Sequence, residues 1–215
     1  MPVFKISEGQ KKIIANILGV PFKVTSYQEG HLRAGIWAAG KEFPSEFLAL
    51  HLSGGTSELL MVKFDKRSAG FLIKRLGGTT DLYAGQLIDR VGVKLGFCFP
   101  AGNFLEQLAE KGADTRLKIV SSVHGYNFSF SGPEAQAIRM IDRGEDPSQV
   151  ARAVEQCIAK TVEKILRKAI EETGKKVVLL VGSVASNKFL RQRLEERLKH
   201  RAIKAKLRFA GADYS

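Results

Sequence analysis

With 215 residues, an apolar share of 44% and a charged share of 26%, the chain has the composition of a soluble globular protein long enough to bury a real core. No run approaches the ~18 apolar residues of a membrane span, and the opening MPVFKISEGQKK lacks the basic-then-apolar order of a secretory leader. Lys and Arg total 34 against 22 Asp and Glu, a net charge of +12 that favours polyanions such as RNA through phosphate contacts and counterion release.

Two cysteines, Cys98 and Cys157, are too few for a disulfide framework and match no zinc spacing, so the expected setting is the cytoplasm, with reduced thiols. Much of the positive excess lies in the last third, where aromatic residues are scarce and no platform for stacking bases is evident.

Ser7 to Leu18 is expected as a helix, capped by Ser7 and stopped by Gly19. VPFKVTSY (20–27) reads as a strand, and a helix follows from about Gln28 to Ala39. KEFPSE is turn material and marks a subdomain boundary. Three strands then follow at 46–52, 57–65 and 69–75, and a helix from Ala84 to Leu95 carries the apolar stripe Leu87, Ile88, Val91 and Leu95. GFCFPAGN leads to a helix from about Phe104 to Lys111, and SSVHGYNFSFSGPEAQAIRMI to an extended segment entering a helix, with Pro133 in its first turn.

After Asp146-Pro147 the apolar residues Val150, Val154, Cys157, Ile158, Thr161, Val162, Ile165, Leu166 and Ile170 recur at helical spacing until Gly174. KKVVLLVG is a continuous apolar strand of the kind parallel sheets bury on both faces. SVASNKFLRQRLEERL returns as a helix and AIKAKLRFA closes with a strand. From residue 46 the order is three meandering strands, helix, strand, helix, strand. This predicts an α/β fold of the actin-like ATPase (ASKHA) type, built of ribonuclease H-like half domains. Residues 1–45 are expected to be the remnant of an incomplete first subdomain, and residues 46–215 a second one with a helical insertion.

SGGTSE (53–58) and LGGTTD (76–81) share a glycine pair, two hydroxyl residues and a carboxylate. Such turns can present backbone N–H groups to phosphates, although glycine pairs taken alone are more often plain hairpin turns. Neither is a Walker loop. LLVGSVASN (179–187) runs from a strand into a helix start, where nucleotides commonly sit in α/β sheets; Asn187 serves equally as a helix cap. Tyr27 and His31 stand four apart, whereas His51, His124 and His200 lack ligand spacing. No H-E-x-x-H or G-x-S-x-G occurs, so a protease or hydrolase has no local support.

Taken together, YQEGH, SGGTSEL, TTDLYAGQLIDRVGVKLGFCFPAGN, FSFSGPEAQ and GSVASNKFLR resemble, in order and spacing, the TsaD/Gcp family of tRNA threonylcarbamoyladenosine synthesis, once catalogued as O-sialoglycoprotein endopeptidases (glycoproteases). The resemblance implies binding of ATP with magnesium, or of threonylcarbamoyl-adenylate, and transfer of threonylcarbamoyl to N6 of adenosine 37 in tRNA. It also implies an iron or zinc ion and partners among tRNA and the other proteins of that pathway, as a homo- or hetero-dimer. Carried over by position, Ser53, Gly54, Gly55, Thr56 and Ser57 line the phosphate or acyl-phosphate. Asp89 and Gly102 meet the ribose side with Glu106 near it, Asn187 contacts the nucleotide, and His31 is a metal ligand beside Tyr27.

Tyr27 replaces the first of the family's paired histidines, Thr56 a histidine, Leu82 a second aspartate and Ser183 a second glycine. The alternatives are a catalytically degenerate paralogue that acts as a nucleotide-binding scaffold or partner, a metalloglycoprotease as the old family label suggests, and a sugar kinase-like ATPase.

Overall fold

Along Glu46–Leu52 every side chain from Phe47 onward is buried, the even-numbered leucines towards one face and Phe47, Ala49 and His51 towards the other. A strand with no solvent face belongs at the centre of a sheet covered on both sides. The computed structural model describes residues 2–22, 26–40, 42–65, 70–113, 115–199 and 203–210. Two compact units divide the chain, Met1–Gly30 and His31–Ser215.

The first unit holds α1 (Pro2–Leu18) and the start of α2 (Tyr27–Ala39). The helix α1 extends N-terminal to the expected cap, so Ser7 lies inside it, and Gly19 stops it at φ 64°. The strand expected at 20–27 is not formed by the described residues: Val20, Pro21, Phe22 and Ser26 are irregular and Tyr27 is already helical. Pro21 has no N–H to donate to a ladder. Residues 23–25 of that segment lie outside the described residues.

In the second unit follow β1 (Glu46–Leu52), β2 (Ser57–Asp65), β3 (Gly70–Gly78), α3 (Ala84–Lys94), α4 (Gly102–Lys111), β4 (Ser122–His124), β5 (Asn127–Ser129), α5 (Ser131–Asp142) and α6 (Pro147–Thr173). The chain closes with β6 (Val177–Val181), a 3-10 turn at Ser183–Ser186, α7 (Lys188–Leu198) and β7 (Lys206–Phe209). The main sheet has the order β3-β2-β1-β6-β7; β1, β6 and β7 run parallel, and β2 and β3 are antiparallel neighbours. One face packs Leu48, Leu50, Leu52, Val178 and Leu180 against α3 to α7, the other packs Phe47, Ala49, Leu179 and Val181 under Leu32 of α2. Among the described residues no helix is long and apolar enough to cross a membrane.

The long α6 obeys its sequence signals. Asp146 caps it by accepting from Ser148 and Gln149 N–H groups at 2.8 and 3.1 Å, and Gly174 ends it in the left-handed region at φ 69°. Glu163 on its buried side accepts from Arg193 and Arg197 of α7 at 3.1 and 3.2 Å, which ties the two helices together.

Two further expectations need correction. The second glycine pair is not a turn: β3 runs on through Gly77 and Gly78, which pair with Leu59 and Glu58 across an irregularity. A Cβ on Gly77 would lie 2.5 Å from that of Tyr126, and one on Gly78 2.5 Å from the Ser57 carbonyl oxygen, so close packing selects glycine at both. Residues 183–186 form a 3-10 turn, and the helix expected there starts only at Lys188.

Asp81, next along the chain, fastens this strand end to α5. It accepts from the Phe130 N–H at 2.9 Å and from the Ser129 hydroxyl at 2.5 Å. Partial burial acts to raise its pKa, but the hydrogen bonds from Ser129, Phe130 and Leu82 outweigh it and hold the carboxyl down at about 2. A depressed folded-state pKa stabilises above the unfolded value of 3.8 and is lost as pH falls towards 2. Discounted for solvent screening, the contribution is about 1 kcal/mol. Asp81→Ala is expected to lower the urea midpoint at pH 7 and leave the pH 2 midpoint nearly unchanged.

Candidate functional site

The segments that leave the parallel strands β1 and β6, Ser53–Thr56 and Gly182–Asn187, open onto a cleft of about 410 Å3. Crevices beyond the carboxyl ends of parallel strands are where ligands enter open α/β sheets. Three helices begin on this cleft: α3 at Gly85, α4 at Gly102 and Asn103, and α7 at Asn187. Each start carries N–H groups without a helical partner and the positive end of the helix dipole, so the three together favour an anion.

Carboxylates in the cleft set these helix starts in place. The Ala101 N–H donates to Asp89 at 2.8 Å, and the Lys188 N–H donates to Glu106 at 2.7 Å. Asn187 accepts from the Leu190 N–H at 2.8 Å, and its amide nitrogen donates to Glu155 at 2.6 Å. The second Glu155 oxygen pairs with Arg152 at 2.7 Å, Arg152 donates to the Ala109 carbonyl at 3.0 Å, and its guanidinium lies 4.3 Å from the Phe189 ring centroid. Burial pushes the Glu155 carboxyl up to about 7; the Asn187 hydrogen bond and Arg152 pull against this, while Glu106 and Glu110 add to it.

The turn after β1 rests on α3. The Ser53 N–H donates to the Thr56 carbonyl at 2.7 Å, the Gly55 N–H to the Ser53 hydroxyl at 3.2 Å, and the Gly85 N–H to the Ser53 carbonyl at 3.1 Å. Neither Gly54 nor Gly55 adopts a positive φ, and a Cβ on either would meet nothing within 4 Å. Conformational need therefore does not explain this glycine pair; open space does. At Gly85, in contrast, a Cβ would lie 2.6 Å from the Gly54 nitrogen. The Ser57 hydroxyl is buried and accepts from the Ala84 N–H at 2.9 Å, acting as a remote cap for α3. Ser57→Ala strands that N–H and is expected to lower stability by about 1–2 kcal/mol, read from chemical denaturation.

Of the residues expected at the site, Gly54, Asp89, Gly102, Glu106 and Asn187 share the cleft. Ser53, Gly55 and Thr56 shape the turn beside it without lining it, and Ser57 faces inward. Sequence reasoning missed Gly85, Asn103 and Ser186 in the lining and the Arg152–Glu155 pair behind it. That pair had a signal: two charges on the apolar side of the α6 repeat require a polar partner.

His31, on α2, lies with its ring 4.6 Å from that of His51 at the end of β1, a juxtaposition that sequence spacing does not reveal. Burial, with the His31 charge second, pushes His51 down to about 4, so it is neutral at pH 7. Tyr27 belongs to the first unit and His31 to the second. Among the described residues no three His, Cys, Asp or Glu side chains are grouped as a metal ligand set.

A mixed five-stranded sheet covered by helices on both faces, with a cleft of helix starts past its parallel strands, defines an α/β fold of the actin-like ATPase class. The TsaD family, described as tRNA N6-adenosine threonylcarbamoyltransferase, matches residues 11–213, and the chain belongs to that family. The tRNA N6-adenosine threonylcarbamoyltransferase of Thermus thermophilus is 34% identical over 188 residues, covering 86% of this chain and 55% of that protein. One from Prochlorococcus marinus is 30% identical over 206 residues, covering 89% and 56%. The chain thus spans about half the length of the curated relatives it matches.

Among solved structures, T. kodakarensis HypF aligns with a TM-score of 0.71 at 15% identity, over 94% of this chain and 35% of that one. Full-length HypF in its phosphate- and nucleotide-bound form aligns with a TM-score of 0.65 at 15% identity, over 83% of this chain and 32% of that one. At these identities the likeness is one of fold.

Proposed function

We propose that this chain binds ATP or threonylcarbamoyl-adenylate in the cleft and takes part in transferring threonylcarbamoyl to N6 of adenosine 37 of tRNA. The observation that carries the reading is the convergence of three helix N-termini on one cleft of nucleotide size. In this reading residues 1–45 are the remnant of the first ribonuclease H-like subdomain and residues 46–215 the second.

Gly54 and the start of α3 face the phosphates, which bring magnesium with them. Asp89 and Glu106 each spend one oxygen on a helix start, and the other is directed to ribose hydroxyls. Asn187 flanks the nucleoside. Threonylcarbamoyl-adenylate is a mixed anhydride: attack by the adenosine amine on its carbonyl carbon forms the new C–N bond, breaks the carbonyl carbon's bond to the phosphate oxygen, and releases AMP and the amine proton, which passes to solvent. Backbone N–H groups at the helix starts stabilise the charge that develops on the leaving phosphate.

Ligand binding to the folded state alone raises stability by about 2.7 kcal/mol at a hundredfold excess over Kd. Thermal unfolding is therefore expected to shift upward with millimolar ATP and magnesium; an unmoved midpoint contradicts the reading. A second reading, a nucleotide-binding partner without the chemistry, is favoured by Tyr27, Thr56 and Ser183, which depart from the family pattern. Incorporation of threonylcarbamoyl into tRNA in the presence of this protein separates the two.

A further inference from the structure

Part of the positive charge of the last third is engaged within the fold. Arg167, Arg193 and Arg197 surround Glu163, Lys168 pairs with Glu172, Lys175 with Glu46, and Lys199 with Glu195. Arg191 donates to the carbonyls of Ala185 and Ala210. Between Cys157 and Ile170 the exposed residues of α6 are Lys160, Lys164, Arg167 and Lys168, all of them basic, and of these Arg167 and Lys168 belong to the ion pairs just named. Lys160 and Lys164 border a second cleft of about 210 Å3, walled on its far side by residues 118–121 and Val123, with Lys118 on that wall. Among the described residues no ion pair forms at Lys118, Lys160 or Lys164. The Ser121 and Thr161 hydroxyls, 2.5 Å apart, lie in the same cleft.

From this arrangement we infer that Lys118, Lys160 and Lys164 form a docking surface for the phosphodiester backbone of RNA. Three ammonium groups that form no ion pair among the described residues release counterions when they meet phosphates, which is the driving force for binding a polyanion. Lys160 and Lys164 repeat at one helical turn, about 6 Å along the axis, so they present a line of charge. Aromatic residues do not line the cleft, so the contact reads backbone charge and not base identity. The choice of RNA as the polyanion rests on the proposed function.

The test is the salt dependence of binding to a fluorescently labelled RNA stem-loop of anticodon-arm size. Substituting Lys118, Lys160 and Lys164 together by Gln is expected to reduce the slope of log K against log salt by about three, one for each lost phosphate contact. Affinity at low salt should fall at least tenfold. A control with Lys74, Lys176 and Lys206 changed to Gln removes the same net charge from other surfaces and is expected to leave the slope within about one half of wild type. Equal slopes for the two variants, no RNA binding by the unaltered chain, or binding to phosphatidylserine vesicles without binding to RNA would each overturn the assignment. ATP titration of the triple variant keeps the two proposals apart, since it reads the first cleft alone.

Discussion

Glu155→Leu is expected to destabilise the chain by about 3–5 kcal/mol, because it leaves the buried Arg152 guanidinium without its counter-charge. The loss is measured as a fall in the urea midpoint. Arg152→Met combined with Glu155→Leu should recover much of it, since replacing both ions removes the unpaired charge. Glu155→Gln keeps an acceptor for Asn187 and is expected to be milder. The pH dependence gives a separate reading. The folded-state pKa lies at about 7, above the ordinary 4.5, so the folded chain holds this proton more tightly than the unfolded chain does. The associated stability is complete below 4.5 and lost as pH rises through about 7. Wild type should lose stability across that window, and Glu155→Gln should not. The same side chain orients the Asn187 amide, so Glu155→Leu should also weaken nucleotide binding in whatever fraction remains folded.

Gly182→Ala is expected to be the most damaging single methyl in the site, at about 3 kcal/mol. Gly182 sits at φ 97°, and a Cβ there would lie 2.3 Å from the Leu52 carbonyl oxygen and 3.0 Å from the His51 ring. The ends of β1 and β6 must separate to admit it, and the 3-10 turn that leads to Asn187 moves with them. Gly54→Ala, in the turn after β1, meets no atom within 4 Å and is expected to change stability by less than about 0.5 kcal/mol. Thermal midpoints of the two variants test whether the cleft glycines serve backbone packing or open space. Comparable losses would contradict the distinction drawn between them.

Much of this fold was legible where local chemistry and tertiary packing agree. The length of α6 follows from the Asp146 cap, the periodic apolar side and Gly174, and β1, β2 and β6 follow from their apolar runs. The strand read at 20–27 failed among its described residues, where Pro21 offers no ladder donor. The second glycine pair misled because its selecting contact, the approach of Tyr126, is made 49 residues further on.

Gly54, Asp89, Gly102, Glu106 and Asn187 were expected from the resemblance, and the structure brings them to one cleft. Ser57 was assigned with its neighbours because it shares their stretch of sequence, yet strand alternation turns its hydroxyl inward to cap α3, 27 residues away. The His31–His51 contact and the unpaired lysines around the second cleft depend on which elements fold together, and no spacing rule reports that.

The first cleft holds a nucleotide through its helix starts in the proposed function. The most direct test is calorimetric titration of ATP with magnesium into this chain, beside Gly54→Arg, which fills the open side of the turn without forcing its backbone. Saturable binding by the unaltered chain, lost in a Gly54→Arg variant that unfolds at the same midpoint, is the result expected. Binding that survives the arginine, or none by the folded chain, would contradict it.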